Sequence, residues 1–141
     1  MGKIDITKGI PHKYPFVLVD RIEEIEYMRR SKGVKYISAN EPWVTGHFPE
    51  EPIYPGVYII ETMAQVGGFI FYNPEVEGKL GKMYLCGVNN LKISHSVTPG
   101  DVLVVEAEIS ESFAHLFQIQ CTATVMDQVV ASGIITLASV K

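Results

Sequence analysis

Glu61 stands on the most apolar stretch of the chain, residues 57–72, and Gln65 follows it at i+4. On a helix that spacing puts both polar side chains on one face, within reach of each other or of one ligand. A carboxylate in such surroundings demands an explanation, because burying a charge without a partner is costly. It is either a working acid or base, or a structural carboxylate satisfied by backbone or a lysine. His47 favours the first. It lies between Gly46 and Phe48-Pro49, in a stretch with prolines at 42, 49, 52 and 55. A ring there is held in direction instead of sweeping through solvent. A histidine and a carboxylate together suit proton removal at one atom and proton delivery at another. Gly56 supplies the third part. At a helix start its N–H and those of its successors lack intrahelical acceptors and carry the positive end of the helix dipole, so they can stabilise a developing oxyanion.

The elements that must position these groups follow from pattern. The four prolines make residues 40–55 a stiff, shaped loop and exclude regular helix or central strand. Pro55 suits a helix start, and 56–72 is apolar nearly all round, as in a helix enclosed by other structure. Asn73-Pro74 ends it. Residues 14–22 have a strand-like centre and 34–38 read as a second strand. Four longer strands follow at 84–97, 102–110, 115–126 and 129–140, with Glu106 and Glu108 on one face of the second. The sum is an α+β domain spanning 1–141, a curved antiparallel sheet wrapped around one long apolar helix.

Composition sets limits on function. The chain has 141 residues, 47% hydrophobic and 20% charged, with a formal net charge of −4. That gives no sign of the dense basic face of a nucleic-acid binder and leaves room only for a local basic patch. The densest basic cluster, Arg29, Arg30, Lys32 and Lys35, reads as a solvated strand edge. The apolar segment is too short to cross a bilayer and carries Glu61, Gln65 and Gly67-Gly68. Cys86 and Cys121 match no metal or redox spacing and read as packing residues. With an N-terminus that lacks a signal peptide's apolar core, they point to the reducing cytoplasm. His12, His95 and His115 show no metal-binding spacing, so no metal is expected.

The run His47-Phe-Pro-Glu-Glu-Pro-Ile-Tyr-Pro-Gly-Val-Tyr-Ile-Ile-Glu61-Thr-Met-Ala-Gln65 resembles the HFPxxPxxPGVxxxExxAQ signature of FabZ-type 3-hydroxyacyl-[acyl-carrier-protein] dehydratases. Ile10-Pro-His-Lys-Tyr-Pro-Phe-Val-Leu-Val-Asp-Arg21, Asn40-Glu-Pro and Val97-Thr-Pro-Gly-Asp101 extend the likeness over nearly the whole chain. The resemblance implies a hot-dog fold and dehydration of a 3-hydroxyacyl thioester to the trans-2-enoyl product in fatty acid biosynthesis, without a cofactor. It implies His47 as the base at the α-carbon and Glu61 as the acid to the 3-hydroxyl. The Gly56 N–H would meet the thioester carbonyl, Gln65 would orient the site, and the Ile53 carbonyl would hold the imidazole. It also implies a homodimer whose sites take His47 from one chain and Glu61 from the other, and such dimers often form hexamers as trimers of dimers.

The related FabA type has aspartate at the position of Glu61, which favours dehydration without double-bond isomerisation. Two positions depart from the pattern. Tyr54 replaces a usual methionine, and with Met63, Phe69 and Phe71 it is a candidate for shaping the acyl tunnel. Lys92-Ile-Ser-His-Ser replaces a more basic run, which bears on docking of the acidic acyl carrier protein. The competing readings are a hot-dog acyl-thioesterase and a non-catalytic acyl-binding sensor or partner subunit.

Overall fold

The computed structural model describes residues 4–46, 50–73, 75 and 82–139. Its centre is the apolar helix. Three helices, α1 (Ile6–Gly9), α2 (Trp43–Gly46) and α3 (Gly56–Gly68), are described, and a 3-10 turn, Phe69–Phe71, continues α3. Thus the expected 56–72 helix is present, its last turn tightened. Ile59, Met63, Val66, Phe69 and Ile70 are fully buried, each stabilising the fold by about 1.5–3 kcal/mol.

Six strands wrap this helix: β1 (Arg21–Glu26), β2 (Arg30–Tyr36), β3 (Met83–Ile93), β4 (Val102–Phe113), β5 (Leu116–Val125) and β6 (Gln128–Ser139). Their order is β1-β2-β4-β5-β6-β3, with every neighbouring pair antiparallel. In β4, Leu103, Val105 and Ala107 face the helix while Glu106 and Glu108 face out. That is the alternation of a sheet covered on one side. Close approach of helix and sheet is written into Gly33: a Cβ there would come 2.8 Å from Val66 Cγ2. Beside it, the Ser31 hydroxyl donates to the Val66 carbonyl at 2.6 Å, and Met28 N–H donates to the Ile70 carbonyl at 2.8 Å. These two bonds tie the C-terminal end of the helix to β2 and the turn before it.

Several local expectations are corrected. The first strand lies at Arg21–Glu26, not within 14–22, because one face of a charged strand is solvated and carries no apolar run. The second begins at Arg30, ahead of the expected 34, and ends at Tyr36. The basic cluster is not on an edge: β2 lies between β1 and β4, and its cations are met by carboxylates of both neighbours. Arg30 pairs with Glu24, and Lys32 lies between Glu24 and Glu106. The proline-rich loop contains one helical turn, α2, which starts directly after Pro42 where a proline's fixed φ is tolerated. α1, capped by the Asp5 carboxylate on Thr7 N–H, was not foreseen. Cys121 is packed in the core, but Cys86 is exposed.

Candidate active site

α3 presents Glu61 to a cavity of about 180 Å³ whose walls include His12, Ala64, Gln65, Gly68, Tyr84 and Leu85. The Glu61 side chain is 20% exposed. It is a half-buried carboxylate open to the cavity, not a sealed one. Gln65, 3% exposed, explains how it is held. Its Oε1 accepts Leu18 N–H at 2.8 Å, which fixes the amide's orientation. Nε2 then donates to the Phe16 carbonyl at 2.9 Å and to Glu61 Oε2 at 3.0 Å. The i+4 pair does meet, and its second partner is the chain between α1 and β1.

His12 comes to the same carboxylate. Its Nε2 lies 3.5 Å from Glu61 Oε2, and its ring packs against Phe16 with centroids 6.0 Å apart. Sequence reading weighed His12 only as a metal ligand and missed this neighbour of Glu61. The available signal was its position in Pro11-His-Lys-Tyr-Pro15, a second histidine set among prolines. Among the described residues, no cluster of His, Cys, Asp and Glu is arranged to hold a metal ion.

The other expected site residues lie elsewhere in the chain. Gly56 opens α3 after Pro55, whose carbonyl accepts from Tyr58 and Ile59 N–H. The start of the helix is anchored by Tyr54 N–H on the Val97 carbonyl at 2.7 Å. A second cavity, about 230 Å³, lies here, with Ile53, Gly56, Ile93, Ser94, His95 and Ser96 in its walls. A Cβ on Gly56 would approach Ile93 Cδ1 to 3.1 Å, a tight contact that the Ile93 side chain would have to yield to. Glu61 and Gln65 share one cavity, and Gly56 and Ile53 share another. His47 lies outside the described residues.

The tunnel candidates resolve into packing. Met63 and Phe69 are fully buried, and Phe71 packs at a tilt against Phe117 with ring centroids 4.7 Å apart. Tyr54 is wedged edge-on between Trp43 and Tyr58, its hydroxyl 2.9 Å from the Thr62 hydroxyl, and burial pushes its ionisation upward. Burial likewise pushes the Cys121 thiol up to about 12, as for an inert core cysteine.

Comparison with known proteins bears on this geometry. Residues 10–134 match the FabA-like domain family. The 3-hydroxyacyl-[acyl-carrier-protein] dehydratase FabZ of Natranaerobius thermophilus is 44% identical over 138 residues, covering 97% of this chain and 96% of that one. The FabZ of Thermoanaerobacter pseudethanolicus is 45% identical over 134 residues, covering 94% and 93%. Among solved structures, the dehydratase heterocomplex ApeI:P from Xenorhabdus doucetiae superposes with a TM-score of 0.82, over 98% of this chain and 92% of that one. At 17% identity this likeness speaks to the fold alone: a hot-dog sheet around a central helix. No helix among the described residues is long and apolar enough to cross a membrane. By sequence over nearly its full length, and by the fold that places Glu61 and Gln65 together, the chain belongs to the FabA-like family, among the FabZ-type 3-hydroxyacyl-[acyl-carrier-protein] dehydratases.

Proposed function

We propose that His47 and Glu61 perform the family's dehydration as base and acid, in a site shared between two copies of the chain. The observation that carries the reading is the Glu61 carboxylate, held on an enclosed helix by Gln65 and open to a cavity. His47 takes the proton from the carbon α to the thioester, and the carbonyl oxygen gains the negative charge of an enolate. The Gly56 N–H at the start of α3 stabilises that charge. As the enolate collapses, the C3–oxygen bond breaks and Glu61 donates a proton to the departing hydroxyl, which leaves as water. The trans-2-enoyl thioester remains. The imidazolium and the carboxylate then exchange a proton through solvent to reset the pair. The Ile53 carbonyl accepts the other ring N–H of His47 and fixes its direction. The thioester itself acidifies the α-proton, so the step asks for no cofactor.

A shared site is supported by the separation of the two cavities within one chain. Glu61 would serve the Gly56 end of a partner's helix, in a homodimer or a trimer of dimers. The substrate is carried on an acyl carrier protein, and the domain, 1–141, works in the cytoplasm. The test is an assay on 3-hydroxyacyl thioester, read by enoyl absorbance and by the reverse hydration. Enoyl product is expected, and free thiol without enoyl would replace the reading with thioester hydrolysis. His47→Ala and Glu61→Gln are each expected to lower kcat by about a hundredfold or more with the fold intact. Near wild-type rates in both variants would refute the assignment.

A further inference from the structure

His12 Nδ1 is buried and, among the described residues, has no hydrogen-bond partner. The opposite ring nitrogen, Nε2, is the one that faces Glu61 Oε2. An N–H at the enclosed Nδ1 would be a buried donor that none of the described residues receives, which costs the full desolvation of that group. The same hydrogen on Nε2 lies on the side of the ring that faces a carboxylate oxygen 3.5 Å away. The surroundings therefore select the tautomer with hydrogen on Nε2. Gln65 is committed in the same sense: its oxygen is taken by Leu18 N–H, so its amide nitrogen can only donate to Glu61. The Gln65 amide donates to Oε2, and His12 Nε2 lies 3.5 Å from the same atom.

We propose that His12 is a positioning residue for Glu61. Its Nε2–H and the Gln65 amide together hold Oε2, leaving Oε1 as the oxygen that carries the exchangeable proton to the substrate's 3-hydroxyl. The division matters because a carboxylic acid donates from one oxygen only, and a carboxyl free to rotate presents the wrong one part of the time. His12 belongs to the same chain as Glu61. It stands on the segment that Gln65 ties down through Phe16 and Leu18, so the backbone that Gln65 secures also carries His12 to the carboxyl. The inference rests on Glu61 being the acid.

The experiment compares His12→Leu, which removes the donor, with His12→Gln, which returns an N–H near the position of Nε2. His12→Leu is expected to lose about tenfold in kcat, the worth of one hydrogen bond, with KM within about twofold. His12→Gln is expected to recover most of that loss. In the Glu61→Gln background, His12→Leu is expected to cost nothing further. Equal losses in the Leu and Gln variants would overturn the proposal by assigning His12 a packing role. Wild-type kcat in His12→Leu alongside an inactive Glu61→Gln would overturn it while leaving the acid assignment standing. An active Glu61→Gln would instead remove the acid itself. Should His12→Leu not fold, imidazole nitrogen-15 shifts of the unaltered protein decide: hydrogen on Nε2 supports the assignment and hydrogen on Nδ1 overturns it.

Discussion

Gln65 uses all of one amide: its oxygen takes Leu18 N–H, and its nitrogen supplies Phe16 and Glu61. It joins the site to the backbone that leads into β1. Gln65→Leu keeps the volume and strips every one of these bonds, leaving the Leu18 N–H without its acceptor in a dry place. A loss of about 1–3 kcal/mol in folding stability is expected, together with lower kcat, measured by urea unfolding and by steady-state rates. Unchanged stability with unchanged kcat would show that neither the loop nor the carboxyl depends on the amide. At this scale the sequence was legible where partners are near. Glu61 and Gln65 announce themselves because helical spacing brings i and i+4 together. The partners of Gln65 lie 47 and 49 residues away, and His12 lies equally far from Glu61 in the chain. Such pairings depend on how the segment before β1 crosses α3, which no periodicity encodes.

Among the elements, β2 has the least expected task, since its Lys35 is only 6% exposed. The ammonium is met by the Glu41 carboxylate, with Asp20 at 3.8 Å. Glu41 also accepts Ser38 N–H at 2.8 Å, and Asp20 accepts Tyr36 N–H at 2.7 Å. This cluster fastens the end of β2 to the start of the proline-rich loop, directly ahead of α2. Lys35→Met leaves the Glu41 carboxylate, 17% exposed, without its cation, a change expected to destabilise by about 1–3 kcal/mol. The double variant Lys35→Met/Glu41→Gln discharges both ends and is expected to recover more than half of that in thermal or urea unfolding. A double variant no better than the single would mean that the charge left behind is not the source of the loss. Helix α3 and strands β3 to β6 were readable because apolar residues recur at the periods of helix and strand. β1 was not, because its Arg-Ile-Glu-Glu-Ile-Glu sequence buries Ile22 fully and leaves most of its length to solvent. Lys35 departs from the strand-edge expectation for a related reason: charge suggests exposure, whereas here the ammonium is neutralised by Asp20 and Glu41 in the flanking loops.

For the whole molecule, the two edges of the sheet differ in kind. β1 is short and bristles with Arg21, Glu23, Glu24 and Glu26, the usual defence against further strand pairing. β3, at the other edge, has eleven residues and leaves Tyr84, Leu85 and Ile93 exposed. Tyr84 and Leu85 also wall the Glu61 cavity, and Ile93 walls the cavity of Gly56. A long edge strand that borders both cavities and exposes apolar side chains fits the proposed pairing with a second copy, related by a twofold axis. Such pairing makes a quantitative prediction. When equal pools of His47→Ala and Glu61→Gln protein exchange subunits at random, half of the dimers are mixed, and in each mixed dimer one site draws both intact residues. About one quarter of the wild-type activity is expected to return, because two-fold pairing gives each mixed dimer one intact site and one doubly altered site. If His47 and Glu61 of the same chain worked together, no pairing of these variants would create an intact site. Exchange is verified independently with two differently tagged pools, and activity staying at the level of the separate variants would then assign both residues to one chain's site.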